Sequence, residues 1–153
     1  MSQGGKVGLM LFFFAVCATA AFVSYDGERQ SPPARPVDLY SVVHSQFRAL
    51  QAADFPRAYQ HASAGMQEKF SVEQFEEMVR VDYAPIIEAD RVEFGAVDIR
   101  GRHAVVRVFF VGEDGGVTPC IYSLVNEGET WKIDGARILR RIPKGERLDG
   151  IRV

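Results

Sequence analysis

The chain of 153 residues is one domain's worth, with 47% apolar and 25% charged residues, the proportions of an ordinary globular protein. Its 18 Lys and Arg against 20 Asp and Glu leave a net charge of −2 and a pI near 5.9, without the basic surplus that nucleic-acid binding needs. Of two cysteines, Cys17 sits in an apolar run, so Cys120 stands alone and neither an internal disulfide framework nor a cysteine zinc site is available. Cys120 reads as a small buried strand residue.

Residues 1–6 form a short polar flank with one positive charge, followed at 7–23 by the unbroken apolar or small-residue run VGLMLFFFAVCATAAFV. Two exported fates fit it. A charged start, an apolar centre and Ala18-Thr19-Ala20 suit a signal peptide cleaved after Ala20. The run also continues past that site through Ala21, Phe22 and Val23, which favours an uncleaved anchor slightly short of an ideal span. The domain would then lie on the extracytoplasmic, periplasmic side, with the membrane as its first partner; cleavage would leave it soluble in the periplasm or secreted. Val16 occupies the position where a lipoprotein signal at Cys17 calls for a small residue. Residues 24–36, SYDGERQSPPARP, are a Pro-rich linker that packs no element, so the folded domain is expected over 37–139.

Helix one is expected over 39–52, with Asp38 as N-cap and Leu39, Val43, Phe47 and Leu50 as its buried stripe. Asp54 is placed to cap a short second helix with Pro56 in its first turn, and Gly65 to lie in the turn after it. A third helix opens on the strongest local signal in the chain. Ser71 and Gln74 have the spacing of a capping box, with Phe70 and Phe75 as a hydrophobic staple across it. Pro85 limits how far that helix runs.

Beyond it the period is two. Val92 and Phe94 share one parity, Val97 and Ile99 the other, and the switch at Gly95-Ala96 predicts a bulge. AVVRVFFV, residues 104–111, reads as a central strand covered on both faces. GEDGG at 112–116 makes a hairpin loop, leading into a third strand over 120–125 with Pro119 at its start. Trp131 and Ile133 mark the core face of a fourth strand, and residues 140–153 form a charged extension. The fold class is therefore α+β: three helices packed on a bent antiparallel sheet of about four strands, preceded by one N-terminal apolar helix.

The spacing of these elements resembles the nuclear-transport-factor-2-like (cystatin-like) superfamily. More closely it resembles the domain-of-unknown-function 4864 family, through Ala52, Asp54, Ala58-Tyr59, Ala62-Ser63, Gln67, Phe70, Phe75, Met78-Val79, Tyr83 and Pro85, then Tyr122, Leu124-Val125 and the run Trp131 to Gly135. The resemblance covers about residues 39–139. It implies the fold, and carries no established activity.

No phosphate-binding glycine loop and no GxSxG elbow occur, and His44, His61 and His103 have no companion at metal-ligand spacing. No metal or cofactor is expected. Some relatives in the superfamily transfer protons in a pocket under the helices, which implies an isomerase- or dehydratase-type alternative. Such a site needs a Tyr donor beside a His or Asp. The pocket candidates are Tyr40, His44, Tyr59, Tyr83, Tyr122 and Trp131, with Asp134 as a second acid–base group on the strand parity opposite Trp131 and Ile133. The main reading is non-catalytic: an apolar pocket for a small ligand, or a sheet face bearing Phe109, Phe110, Tyr122 and Trp131 for a protein partner or a second copy.

Overall fold

The computed structural model describes residues 34–140. The flank at 1–6, the apolar run at 7–23, the linker through residue 33 and the extension from 141 onward lie outside the described residues. Among those described, no helix is long and apolar enough to cross a membrane.

Helix α1 (Pro36–Gln51) starts three residues earlier than its stripe suggests. Pro36 fits the first turn because a helix has no use for its missing N–H there. Asp38 is accordingly inside the helix and is not its N-cap. Its carboxylate accepts from the Arg35 backbone N–H at 3.1 Å and from the Arg35 guanidinium at 3.1 Å. Leu39, Val43, Phe47 and Leu50 are buried as their spacing requires. Helix α2 (Phe55–Tyr59) is capped by Asp54, which accepts from the Arg57 N–H at 3.1 Å.

Two short helices appear that the periodicity does not announce. Helix α3 (Ala64–Lys69) contains Gly65 inside a helical turn, and Ser63 caps it by accepting from the Met66 N–H at 3.1 Å. Its six residues include none that is buried, so no apolar stripe betrays it. Helix α4 (Val72–Asp82) is the expected one, opened by a reciprocal Ser71–Gln74 capping box. Pro85 ends its run by starting helix α5 (Ala84–Ile87), which drives Ile86 into the core.

Four strands follow: β1 (Arg91–Arg100), β2 (His103–Val111), β3 (Val117–Glu127) and β4 (Thr130–Ile138). They form one antiparallel sheet in chain order. The bulge predicted at Gly95-Ala96 is present, where the β1–β2 register shifts between Phe94 and Val97. The Tyr40 ring stacks on Phe94 at 4.7 Å and its hydroxyl donates to the Gly95 carbonyl at 3.0 Å, so α1 grips the sheet where it bends. On the other side of that point Phe109 lies so close that a Cβ on Gly95 would meet its ring at 2.9 Å.

One face of the sheet carries the core: Ala104, Val106, Val108 and Phe110 from β2, Cys120, Tyr122 and Leu124 from β3, and Trp131 and Ile133 from β4. The expectation that β2 is covered on both faces does not hold among the described residues. Its burial alternates and Val105 is 43% exposed, because the described helices that contribute to the core, α1, α2, α4 and α5, pack on the other face. Phe109 points outward, and Phe110, Tyr122 and Trp131 inward. Strand β3 begins at Val117, two residues before Pro119. The Pro119 carbonyl accepts from the Leu139 N–H at 2.8 Å, so its nitrogen also faces β4, which ends at Ile138. A missing donor is harmless there.

Phe75 and Trp131 are both core residues on opposite layers. Truncating either to Ala should cost about 3–5 kcal/mol by urea denaturation followed by circular dichroism. A loss below about 1 kcal/mol would place that ring outside the core.

Candidate functional site

The sheet's β4 edge is not left open. The Ser63 N–H donates to the Ile133 carbonyl at 2.8 Å and the Ile133 N–H donates to the His61 carbonyl at 2.8 Å, making a short parallel bridge at Ala62. Lys132 Nζ adds a bond to the Gln60 carbonyl at 2.8 Å. Next to this seam β4 bulges: Leu124 faces Ile133 and Ser123 faces Gly135, which leaves Asp134 as the extra residue. The extra residue restores Ala136 and Ile138 to the core side, opposite Tyr122 and Cys120. Asp134 is exposed, and its carboxylate accepts from the buried Ser63 hydroxyl at 2.7 Å. Its work is to hold the N-terminus of α3 to the sheet.

With only Gly135 and Ala136 in this part of β4, the floor of the sheet carries little side chain. A half-open cavity of about 290 Å³ results, bounded by α1, α3, α4, α5 and strands β3 and β4. Its wall is predominantly apolar, built from residues such as Leu50, Met66, Phe75, Met78, Ile86 and Ile133. Among the described residues, polar side chains reach it from Gln46, Tyr83 and Tyr122, and no charged one belongs to the wall.

The six candidates separate cleanly around this cavity. Tyr83 and Tyr122 line it. Tyr40 is committed to the Gly95 carbonyl and Tyr59 to the Phe70 carbonyl at 2.6 Å, and neither ring is part of the wall. His44 is exposed on α1, and Trp131 is packed in the core without reaching the cavity. No Tyr–His or Tyr–Asp hydrogen bond joins any of them among the described residues, and none of these residues group as a metal site. Gln46 is the wall residue that the sequence reading passed over. It falls three residues after Val43 on the apolar stripe of α1, is buried, and donates Nε2 to the Ala58 carbonyl at 3.4 Å. A polar side chain on a buried stripe is the signal that could have found it.

The two cavity tyrosines differ in how their hydroxyls are used. The Tyr83 hydroxyl donates to the Ala136 carbonyl at 2.6 Å, so its proton is spent and its lone pairs remain. The Tyr122 side chain is buried, with the residue 2% exposed, and its hydroxyl makes no hydrogen bond among the described residues. It is nonetheless no sealed orphan, since among the described residues every side-chain oxygen and nitrogen wholly closed to solvent has a partner. The hydroxyl therefore opens onto the cavity. Burial drives the Tyr122 phenol well above its ordinary value, helped by Cys120 and Tyr83 nearby, and burial raises Tyr83 as well. Burial likewise pushes the Cys120 thiol up to about 12. All three are neutral groups at physiological pH.

An open four-stranded antiparallel sheet wrapped on one face by N-terminal helices, with a cavity beneath them, is the nuclear-transport-factor-2-like fold. A putative NTF2-like transpeptidase from Campylobacter jejuni shares it, with a TM-score of 0.51 at 14% identity over 67% of this chain and 99% of that one. An NTF-2-like protein of unknown function from Silicibacter pomeroyi aligns with a TM-score of 0.46 at 15% identity, over 67% and 94%. A SEC-C motif containing protein from Rhodopseudomonas palustris aligns at 0.47 and 11% identity, over 65% and 77%. Residues 34–145 match the family described as Domain of unknown function (DUF4864), and the chain belongs to that family. No curated protein matches it.

The neutral state of these buried groups sets a sign for alkaline stability. Their acid forms are favoured by folding, so the stabilisation is complete below the unfolded pKa values and is lost as pH rises through the folded ones. Stability should fall from about pH 9 upward, as the unfolded thiol and phenols ionise first. Cys120→Ala or Tyr122→Phe should flatten that fall in urea titrations between pH 8 and about 11. A fall of unchanged steepness in both variants would show that other groups control it.

Proposed function

We propose that this chain is an exported domain, held at the outer face of the membrane by residues 7–23, that binds a small apolar ligand in the cavity under its helices without catalysis. The observation that supports this reading is the composition of the cavity wall among the described residues: predominantly apolar, uncharged, and without either candidate acid–base group. Proton transfer needs a carboxylate or imidazole within hydrogen-bond reach of substrate. His44 and Asp134 are both exposed and outside the wall. What remains is shape and apolar surface, which is what retention of a ligand requires.

Native mass spectrometry of the full chain, purified in mild detergent from an exporting bacterial host, tests the binding. The expected spectrum carries a small-molecule mass that disappears in Ala136→Phe, which pushes a ring into the cavity. An identical spectrum for both chains, bound or empty, overturns the reading.

Alkaline carbonate washing of membranes tests the location. An uncleaved anchor keeps the protein in the pellet at full length. Release into the supernatant of a chain shortened by about 20 residues would mean cleavage after Ala20.

A further inference from the structure

We propose that the cavity ligand is an uncharged amphiphile of about a dozen non-hydrogen atoms with a single hydroxyl-type head, which accepts a hydrogen bond from Tyr122 and donates one to Tyr83. This deepens the binding reading above and rests on it. The size follows from volume. An apolar cavity of about 150 Å³ holds benzene, so about 290 Å³ accommodates roughly twice as many atoms.

The head group follows from how the polar atoms are used. Tyr122 keeps a proton with no acceptor among the described residues, on a hydroxyl that faces the void. Tyr83 has given its proton to the Ala136 carbonyl and offers only lone pairs. Gln46, the third polar group, has given one N–H of its amide to the Ala58 carbonyl at 3.4 Å, and its oxygen is a further acceptor beside Tyr83. The Tyr122 donor and the Tyr83 lone pairs together match a group that both accepts and donates, as an alcohol does. A ketone would satisfy Tyr122 alone. A hydrocarbon would leave its hydroxyl without a partner once water is displaced, which carries a desolvation cost.

The absence of charge follows from the wall itself. Among the described residues, no Lys, Arg or His reaches the cavity to meet a carboxylate or phosphate, and no Asp or Glu to meet an amine. Burying an ion there unpaired is far more costly than burying a hydroxyl.

The test uses the full chain in detergent micelles with ¹³C-labelled methionine methyls. Met66 and Met78 are both in the cavity wall and report occupancy by their shifts. The chain is titrated with 1-decanol, n-decane and decanoate at pH 8, and each titration is repeated on Tyr122→Phe in the same micelles, so that partition into detergent cancels. The expected result is that 1-decanol moves both methyls, with about five- to tenfold weaker binding in Tyr122→Phe. Decane should bind Tyr122→Phe more tightly than the parent chain, because the variant has no hydroxyl to leave without a partner, and decanoate should leave the methyls in place. Equal 1-decanol binding by the two chains, or preferred binding of decanoate, overturns the head-group assignment while leaving the cavity as a binding site. If no probe moves either methyl, the binding reading itself fails and takes the head group with it.

Discussion

The structure depends on the seam where residues 61–63 pair with Ile133. A sheet with one apolar face has to be covered, and short helices cover it only if something fixes their angle to the strands. The pair of backbone hydrogen bonds at Ile133 does this without a large apolar helix. It sets where α2 ends and where α3 begins, and the Ser63 hydroxyl continues the connection to Asp134. With that side fixed, α1 is held on the opposite side by Tyr40 at the β1 bulge.

Both bulges do the same physical work at different places. An extra residue in one strand bends it and reverses the parity of everything after it. At Gly95-Ala96 the bend lets β1 curl towards α1, while Val97 and Ile99 stay on the core side. At Asp134 it returns Ala136 to that side, where a small residue leaves room. The cavity is thus a product of backbone geometry and small residues in β4. The helices above it could not pack down on that floor while pinned at the seam.

Much of this was legible in the sequence because its signals are local. The Ser71–Gln74 box, the Asp54 cap and the parity switch at Gly95 each occupy four or five residues and carry their own chemistry. What was not legible depends on partners distant in the chain. Helix α3 has no apolar stripe to display, since it is held by polar bonds to β4 residues some 70 positions away. The Asp134 bulge is hidden because Trp131 and Ile133 alternate regularly up to it. The site followed the same division. Four tyrosines were equivalent on the page, and only the fold separates Tyr83 and Tyr122, on the wall, from Tyr40 and Tyr59, whose hydroxyls hold backbone carbonyls.

The two edges of the sheet are guarded by different means, and this bears on how the domain behaves when crowded. An unpaired strand edge is a template on which further chains can grow into a continuous sheet. The β4 edge is already occupied by the bridge at Ala62. The β1 edge has no such partner among the described residues, but it is interrupted by its bulge and carries Arg91, Glu93, Asp98 and Arg100 in exposed positions, cross-linked as Arg91–Glu93 and Arg100–Asp98 pairs. An incoming strand would meet a broken ladder and charges it would have to strip of water. Fibrillar, edge-to-edge aggregation is thereby disfavoured at both ends of the sheet, without the closure of a barrel.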